Sequence, residues 1–385
     1  MLHPFLYSII FLSFSTVFSG SSWLKNLNLP RQLLEYHVAT RPQLRERCLA
    51  DSECKLELTT QKCFGFEDGC EKNSSLGFRS KFTSCDKNLN SKVEETFWKQ
   101  ADFGYLTPRM VKHQICSSEH ENASTLSCSD QLTHCVGTNV FFDFSNLNHE
   151  TSSRYRQDVI KSGQIGGKCE KFDGELLAKN LEWKGYLMSW SDELQHFQSN
   201  PDFQLNQKFC DFIFERPTIV MKLDAAVNLY HHFCDFLNLY ASLHINQTFD
   251  QDVDIVWWDT HPEGFLDKMY GVTWKAFSKH RPFELKELDG KRVCFRNVML
   301  PLLARQRNGL FYNTPLAQGC TGSSLFKSFS QFILHRLGIK PQKADLEKVR
   351  IVILSRSTAF RKFLNVKEVG FQIFYSCVIN SISEM

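Results

Sequence analysis

The chain has 385 residues, of which 42% are hydrophobic and 23% charged, and its formal net charge at pH 7 is +3. This composition is typical of a folded globular protein with two or three domains. Because the small positive charge is dispersed along the chain, the sequence does not indicate a nucleic-acid or polyanion partner.

The first segment of the chain is apolar. Residues 1–19, MLHPFLYSIIFLSFSTVFS, contain an apolar run from Phe5 to Phe18 and no acidic residue, with Ser19 where a signal peptidase prefers a small side chain. The run is too short and too rich in serine to span a membrane well, so it predicts a cleaved signal peptide rather than a membrane anchor. We therefore expect the chain to enter the secretory pathway.

The cysteines favour the same compartment. The chain has 14 of them, and nine lie between Cys48 and Cys169. Their spacing is irregular and includes no C-x-x-C pair, which argues against zinc ribbons and thioredoxin-like redox motifs. In a secreted chain this pattern predicts structural disulfides, whose pairing the sequence leaves open. Three N-glycosylation sequons agree with this assignment, at Asn73, Asn122 and Asn246.

Residues 20–210 form a cysteine-rich N-terminal region with little periodicity. Within it, VEETFWKQADFGYL (93–106) predicts short helices, VGTNVFFDF (136–144) predicts a strand, and YLMSWSDELQHF (186–197) predicts a helix. The glycines of SGQIGGKC (162–169) predict a turn. Neither the lysine spacing nor the flanking sequence of this stretch fits a phosphate-binding loop.

From residue 211 the pattern changes to alternating strands and helices. DFIFERPTIVMK (211–222) is rich in strand formers and interrupted by Pro217, residues 224–243 predict a helix with Asp224 at its N-cap, and VDIVWWD (253–259) predicts a buried strand. Further on, LFKSFSQFILHRLGI (325–339) predicts an amphipathic helix that ends near Gly338, and KVRIVILSRST (348–358) predicts another buried strand. This order indicates parallel α/β units.

The predicted helix at 224–243 carries the candidate metal ligands. His231 and Asp235 are four residues apart, and His232 and Asp235 are three apart, so either pair can face one ion. No third ligand is evident in the sequence, although a lumenal metalloenzyme that uses His231 and Asp235 remains one hypothesis. The alternative is that these are hydrogen-bonded polar positions on a half-buried helix.

Two other segments suggest nucleotide-sugar binding, because ligands of parallel α/β proteins bind at the carboxyl ends of the strands. Asp252 and Asp254 open the strand at 253–259 and are expected to be solvated, whereas Asp259 closes it and is the better candidate. Arg356, Ser357 and Thr358 follow the strand at 348–354, where backbone amides and a guanidinium suit a diphosphate. An exposed loop arginine is the alternative.

Seven segments together carry a family resemblance. Between about Arg47 and Asn365 the chain contains, in order, EETFWKQADFGY, SGQIGGKC, MKLDAAVNLYHHFCDFLNLY, IVWWDT, KRVCF, GLFYNTPL and ILSRST. In these strings the chain resembles glycosyltransferase family 61, in particular its members that transfer N-acetylglucosamine to EGF domains. The resemblance implies a glycosyltransferase B-type α/β fold, in which two Rossmann-like domains follow the cysteine-rich segment along the chain. The acceptor-side domain is then expected at 211–345, and the donor-binding domain from 346.

The same resemblance implies an activity and a location. The expected enzyme is an inverting transferase that moves N-acetylglucosamine from UDP-GlcNAc to serine or threonine of folded EGF repeats in the endoplasmic reticulum lumen. Its expected partners are EGF-repeat proteins such as Notch-type receptors and extracellular matrix proteins. On this view His231, His232 and Asp235, with Asp224, face the interdomain cleft, and one of them acts as general base. Arg356, Ser357, Thr358 and Asp259 then bind the donor.

The chain departs from the family in two places. The family's acidic Asp-x-Asp position is occupied by Lys279, His280 and Arg281, so no cofactor is certain, and divalent-metal dependence is a possibility only. After Asn365 we expect a tail (366–385) unlike the family, without its glycine-rich loop or lumenal retention signal. The chain is therefore expected to have a largely missing second domain, to be inactive or impaired, and to be secreted.

Two expectations follow from this unusual tail. If Cys377 does not belong to the family pattern, 13 cysteines remain and one is unpaired, for which Cys234 is the candidate. The alternative to an enzyme is a non-enzymatic secreted cysteine-rich binding protein.

Overall fold

The computed structural model describes most of the chain up to residue 340. The described residues are 22–56, 58, 84–93, 110–120, 123–153, 155–182, 184–225, 228–259, 270–306, 320–321 and 324–340. The chain divides into two compact units, Met1–Ile339 and Lys340–Met385, and the following description concerns the first. The predicted signal peptide, the helices at 94–106, the strand at 348–358 and the tail at 366–385 lie outside the described residues.

The described elements are short strands and helices, with one long central helix. The helices are α1 Ser22–Leu27, α2 Arg31–Ala39, α3 Pro42–Ala50, α4 Gly174–Lys179, α5 Ser191–Leu194, α6 Leu229–Ile245 and α7 Ser324–Arg336. Single 3-10 turns are formed by Asp130–Leu132, His149–Thr151, Gly271–Ala276 and Leu285–Leu288. The strands are β1 Ser84–Cys85, β2 Lys112–Ser117, β3 Thr125–Ser129, β4 Cys135–Asp143, β5 Ile165–Gly167, β6 Lys171–Phe172, β7 Phe197–Ser199, β8 Phe212–Phe214, β9 Thr218–Met221, β10 Asp254–Trp257, β11 Phe283–Glu284, β12 Arg292–Leu300 and β13 Cys320–Thr321.

All of these strands except β1 and β13, which pair with each other, belong to one mixed sheet. Its main path runs β11-β10-β9-β12-β4-β3-β2-β6. Strands β11, β10, β9 and β12 are parallel, whereas β12, β4, β3, β2 and β6 pair antiparallel. The α/β class predicted from the sequence is confirmed.

The parallel part contains the unit predicted from residue 211. β9 and β10 pair in parallel with Thr218 opposite Asp254 and Met221 opposite Trp257, and α6 connects them. Every residue of both strands is buried, as expected for parallel strands that are covered on two faces. The break at Pro217 falls between β8 and β9, because proline has no N–H for the strand ladder.

The antiparallel part comes from the cysteine-rich region and extends the same sheet. β4 pairs with β12 from Cys135 opposite Leu300 to Asp143 opposite Arg292. The boundary predicted near residue 210 therefore falls between strands of a single sheet. Disulfides reinforce this region and link Cys48 to Cys54, Cys116 to Cys169, Cys128 to Cys135 and Cys210 to Cys294.

Aromatic side chains fill the space on both faces of the sheet. One cluster surrounds α6 and includes Phe236, Tyr240, Trp274, Phe277 and Phe332. The other lies against β4, β10 and β12 and includes Phe142, Trp190, Phe214, Trp258 and Phe295. Much of the chain's high phenylalanine content is thus core packing. Among the described helices, none has both the length and the apolar character needed to cross a membrane.

Two predicted elements differ from the structure. The helix expected at 186–197 is reduced to α5, after which Phe197 begins β7. Ser189 accepts a hydrogen bond at Oγ from the backbone N–H of Ser191, and this local bond competes with a helix. The helix expected from Asp224 begins at Leu229 instead, and its N-cap is Asn228, whose Oδ1 accepts from the backbone N–H of Tyr230.

The glycines of SGQIGGKC do more than form a turn. Gly163 lies in the turn with φ of +81°, but Gly166 and Gly167 belong to β5. A Cβ on Gly166 would lie 2.3 Å from the carbonyl oxygen of Gln198, and one on Gly167 would lie 2.6 Å from Ser124 Oγ. These two positions are glycine because neighbouring chain segments approach them too closely for a side chain.

Gly166→Ala is therefore expected to lower the free energy of unfolding by about 1–3 kcal/mol, because the backbone of β7 must move to admit the methyl group. Gly174→Ala is the matched control, since a Cβ there meets nothing nearer than 3.4 Å. Chemical denaturation with the disulfides intact measures both. Equal stabilities for the two variants would contradict the close packing of β5 on β7.

Candidate active site

The candidate site lies where the parallel strands end. β9 is followed by Lys222 and Asp224, β10 is followed by Asp259, and β12 leads to Arg305. Because β9, β10 and β12 are parallel and in register, these residues are placed along the same edge of the sheet. The carboxyl edge of a parallel sheet is where α/β proteins bind their ligands.

Asp224 is the centre of this site. Its side chain is buried, with 1% exposed, and each of its oxygens accepts a hydrogen bond. Oδ2 lies 2.7 Å from His231 Nδ1, and Oδ1 accepts from Arg305 Nη2 at 2.8 Å. A carboxyl group buried this deeply needs such partners, because burial without them is costly.

His231 is the candidate for proton transfer. It lies in the first turn of α6, and 29% of its side chain is exposed to solvent. Because Nδ1 donates to Asp224, the proton of the neutral ring is held on that nitrogen and the lone pair is on Nε2. This is the arrangement in which a carboxylate orients a histidine that acts as general base.

His232 and Asp235 were predicted to face the cleft together with His231, but their side chains are buried, with at most 1% exposed. The helix turns by about 100° between neighbours, so His232 points into the core, where its ring packs against Phe236 and Trp274. Asp235 accepts a hydrogen bond from the backbone N–H of Asp224 at 3.1 Å. Asp235 thus positions the chain segment that carries Asp224, and its predicted catalytic role stays a prediction.

Lys222, the residue that follows β9, forms a buried ion pair. Lys222 Nζ donates to Glu193 Oε2 at 2.7 Å, and both side chains are almost fully buried. The ammonium group also lies 4.6 Å from the ring centroid of Trp190. Burial raises the pKa of Glu193, while the charge of Lys222 opposes this shift. The pair fixes the chain between β9 and Asp224, because separating two buried charges is costly.

Aromatic residues border the site. Tyr155 donates a hydrogen bond from its hydroxyl group to the backbone oxygen of Asp224, and its ring contacts that of Tyr186. Tyr155 is 41% exposed and Tyr230, next to His231, is 49% exposed. Exposed tyrosines beside these polar groups provide an apolar face and a hydroxyl group, which suits the recognition of a peptide or a sugar.

Several of these residues were not found from the sequence. Arg305 is 81 positions from Asp224, and no local pattern connects them. Tyr155 is likewise joined to Asp224 only by the fold. Lys222 offered one signal, because a lysine at the end of an apolar strand requires an acidic partner. Its spacing from Glu193 does not identify that partner in the sequence.

Cys234 is a free thiol on α6, as predicted. Its side chain is buried, and Sγ donates to the backbone oxygen of Tyr230 at 2.9 Å. Burial raises the pKa of this thiol, with the nearby Asp235 and Asp224 adding to the shift. A thiol that resists ionisation is a poor nucleophile, so Cys234 is a packing residue.

The other predicted site residues are distributed differently. Lys279, His280 and Arg281 lie at the opposite, amino-terminal edge of the parallel strands, where His280 Nε2 is 2.7 Å from Asp252 Oδ1 and Arg281 pairs with Glu287. Asp259 lies just after β10, at the strand end where it was expected, and its side chain is buried; its donor-binding role stays a prediction. Of the sequons, Asn246 is described, at the end of α6. The other sequence predictions, Asn73, Asn122, Arg356, Ser357 and Thr358, lie outside the described residues.

A metal site is not evident in the described part of the chain. There, no three side chains of His, Cys, Asp or Glu lie close enough together to hold an ion. His231 and Asp235, the pair with helical spacing, instead bind different groups of Asp224. His231 bonds to its carboxyl group, and Asp235 accepts a hydrogen bond from its backbone N–H.

The fold and the site define a class. This is a disulfide-containing α/β protein whose polar site lies at the carboxyl edge of parallel strands, as in enzymes that use nucleotide substrates. No family model matches the chain. It is, however, similar to three proteins named EGF domain-specific O-linked N-acetylglucosamine transferase, from Xenopus laevis, Bos taurus and Drosophila melanogaster.

The similarity extends over nearly the whole chain. The identity is 39% over 364 residues for the Xenopus protein, covering 91% of this chain and 68% of the relative. It is 41% over 353 residues for the Bos protein, covering 89% and 66%, and 39% over 376 residues for the Drosophila protein, covering 95% and 71%. The chain belongs to the family of EGF domain-specific O-linked N-acetylglucosamine transferases, and it spans about two thirds of its relatives' length. Its mixed sheet is consistent with the glycosyltransferase B-type fold.

Asp235 gives the site a testable dependence on pH. Burial raises the pKa of Asp235 from 3.8 to about 6, against the opposing effect of His232 and the backbone N–H of Asp224. Between these two values the folded state retains a proton that the unfolded state has lost, so this group's contribution to stability falls as the pH rises.

Asp235→Asn removes this titration. From pH 4 to pH 7 the unfolding free energy of the unmodified chain is expected to fall relative to the variant by about 2 kcal/mol. Guanidinium unfolding at a series of pH values measures the difference. Parallel curves for the two proteins over this range would show that Asp235 does not titrate as described.

Proposed function

We propose that this chain is a transferase that moves N-acetylglucosamine from UDP-GlcNAc to a serine or threonine hydroxyl group of a folded EGF domain; the impaired activity expected from the sequence stays a prediction. The observation that carries the proposal is the pair formed by Asp224 and His231 at the carboxyl edge of the sheet. Membership of the family supports the choice of sugar and of EGF domains as acceptors, since both are part of the relatives' name.

His231 is the proposed general base. The acceptor oxygen attacks the anomeric carbon of the sugar, the bond from that carbon to the diphosphate oxygen breaks, and UDP leaves with the bonding electrons. The acceptor's proton passes to Nε2 of His231. Asp224 then stabilises the imidazolium through the hydrogen bond to Nδ1, and transfer with inversion needs only this one base.

Arg305 and Tyr155 are the proposed positioning residues. Arg305 binds the other oxygen of Asp224, which fixes the orientation of that carboxyl group beside His231. The Arg305 side chain is 51% exposed, so a part of its guanidinium also faces the solvent side of the site. Tyr155 holds the backbone of Asp224 and offers its ring to the acceptor.

The donor is proposed to contact the segment Arg356, Ser357 and Thr358, which was predicted from the sequence. A guanidinium and backbone amides after a strand are suited to a diphosphate. Notch-type receptors and extracellular matrix proteins, which contain EGF repeats, are the proposed acceptors. The endoplasmic reticulum lumen is the proposed compartment, and the disulfides support an oxidising one.

The direct test is an assay of transfer. Purified chain, UDP-GlcNAc and a folded EGF repeat are incubated, and the added sugar is detected by mass spectrometry, with UDP-glucose as the control donor. Sugar on a serine or threonine supports the proposal. A chain that neither transfers the sugar nor binds UDP in calorimetry would instead be a secreted cysteine-rich binding protein.

The adjacent histidines give a matched pair of variants. His231→Ala is expected to reduce kcat per folded molecule by roughly 10²–10⁴, the usual contribution of a general base, and to lower stability by about 1–3 kcal/mol because Asp224 Oδ2 loses a buried partner. His232→Ala is expected to cost about 2–4 kcal/mol of stability, because it leaves a cavity in the aromatic core. Transfer assays and thermal unfolding of both variants check this, and an unimpaired His231→Ala enzyme would remove His231 from the mechanism.

Arg356 gives a test of the donor segment. Arg356→Ala is expected to weaken UDP binding by more than about 1.5 kcal/mol, the scale of a charge-assisted contact. Arg361→Ala, five residues further along the chain, is the control and should bind UDP normally. Calorimetric titration with UDP measures both, and equal affinities in the two variants would rule out the assignment.

A further inference from the structure

A groove opens at the amino-terminal edge of the parallel strands, opposite the candidate active site. Its volume is about 250 Å³, which is enough for one monosaccharide. It lies between the start of β9, the residue before β10, the middle of β12, the strands β3 and β4, and the last turn of α6. The polar residues on its wall include Thr125, Thr138, Thr218, Asn246, Thr248 and Asn297.

The chemistry of this groove is that of a carbohydrate site. Its floor is aliphatic, with Val136, Ile219 and Leu243 among the residues that form it. Hydroxyl and amide groups lie around this floor, and Thr125 Oγ1 and Thr138 Oγ1 are 2.7 Å apart, so one hydroxyl donates to the other. A sugar presents hydroxyl groups at its edge and C–H groups on its faces, which matches a wall of this kind.

One wall residue belongs to a sequon, the sequence signal for attachment of an N-linked sugar. Asn246, Gln247 and Thr248 form a sequon, and both Asn246 and Thr248 contact the groove. Lys112 Nζ donates to Asn246 Oδ1 at 3.4 Å, which orients the amide and distinguishes its oxygen from Nδ2, the atom that carries an N-linked sugar. The disulfides indicate the oxidising compartment in which such sugars are added.

We propose that Asn246 carries an N-linked glycan whose first N-acetylglucosamine occupies this groove and stabilises the folded chain. The sugar is joined directly to a wall residue, so it reaches the groove without a linker. Because it is tethered, its effective concentration at the groove is high and even weak contacts hold it. The hydroxyl groups of Thr125 and Thr138 bind it from the sheet, and the aliphatic floor packs against its face. This proposal is independent of the transferase activity.

The test is a double-mutant cycle between the sugar and the groove. The chain is expressed in cells that make only high-mannose glycans and is trimmed with endoglycosidase H, which leaves one N-acetylglucosamine on each occupied asparagine. Mass spectrometry determines the occupancy of Asn246. Thermal midpoints are then measured for the trimmed chain, for Asn246→Gln, for the isosteric pair Thr125→Val with Thr138→Val, and for all three substitutions together.

The expected result is coupling. Loss of the sugar should lower the midpoint by about 2–4 °C in the unmodified groove, and by much less when both threonines are valine. Asn73→Gln is the control and should show no coupling to the threonine pair. If Asn246→Gln is not secreted, folded glycoprotein treated with peptide-N-glycosidase F replaces it. The proposal would be overturned if Asn246 carried no sugar. It would also be overturned if loss of the sugar lowered the midpoint equally with the threonines and with the valines.

Discussion

The central constraint on this fold is that β12 pairs on both of its sides. One side binds β4 antiparallel along the whole strand, and the other binds β8 and then β9 in parallel. Between these two partners the chain breaks at Pro217, and there Arg296 and Asn297 of β12 are exposed. Arg296 forms an ion pair with Glu215 at this gap. The nine residues of β12 thereby join the cysteine-rich region and the α/β unit into one sheet.

Both sites discussed above depend on this strand. Its carboxyl end leads to Arg305, which reaches Asp224 because β12 and β9 run in the same direction. Its middle contributes Asn297 and Val298 to the groove at the other edge. A single strand therefore sets the position of the polar groups at both ends of the sheet. The disulfide from Cys294 of β12 to Cys210, two residues before β8, holds the start of β8 next to β12.

The sequence predicts the parallel unit well and the site only in part. DIVW was predicted as part of a buried strand and is buried, as is TIVM. Asp254 was expected to be solvated, and this is wrong, since it is 2% exposed and pairs with Arg216. The helix start was misplaced because Asp224 and Asn228 are both good N-cap residues, and the carboxyl group of Asp224 is engaged by His231 and Arg305 instead.

The roles of the two histidines could not be separated from the sequence. α6 is apolar around most of its circumference, so its periodicity does not show which of His231 and His232 faces the solvent. The partners of Asp224 were also hidden, since Tyr155 and Arg305 lie 69 and 81 positions away from it. Such contacts follow from strand order, which depends on the pairing of distant segments and leaves no local pattern.

The pairing of β4 with β12 also has a consequence for synthesis. Asp143 and Arg292, which face each other across this ladder, are separated by 149 residues. At about 5–20 residues per second, the ribosome needs roughly 7–30 s to supply β12 after β4 has emerged. During that interval β4 has one unpaired edge and an apolar face, and such edges recruit other chains. The nascent chain therefore depends on protection from other strands until β12 arrives, so its yield is limited by how quickly that one strand docks.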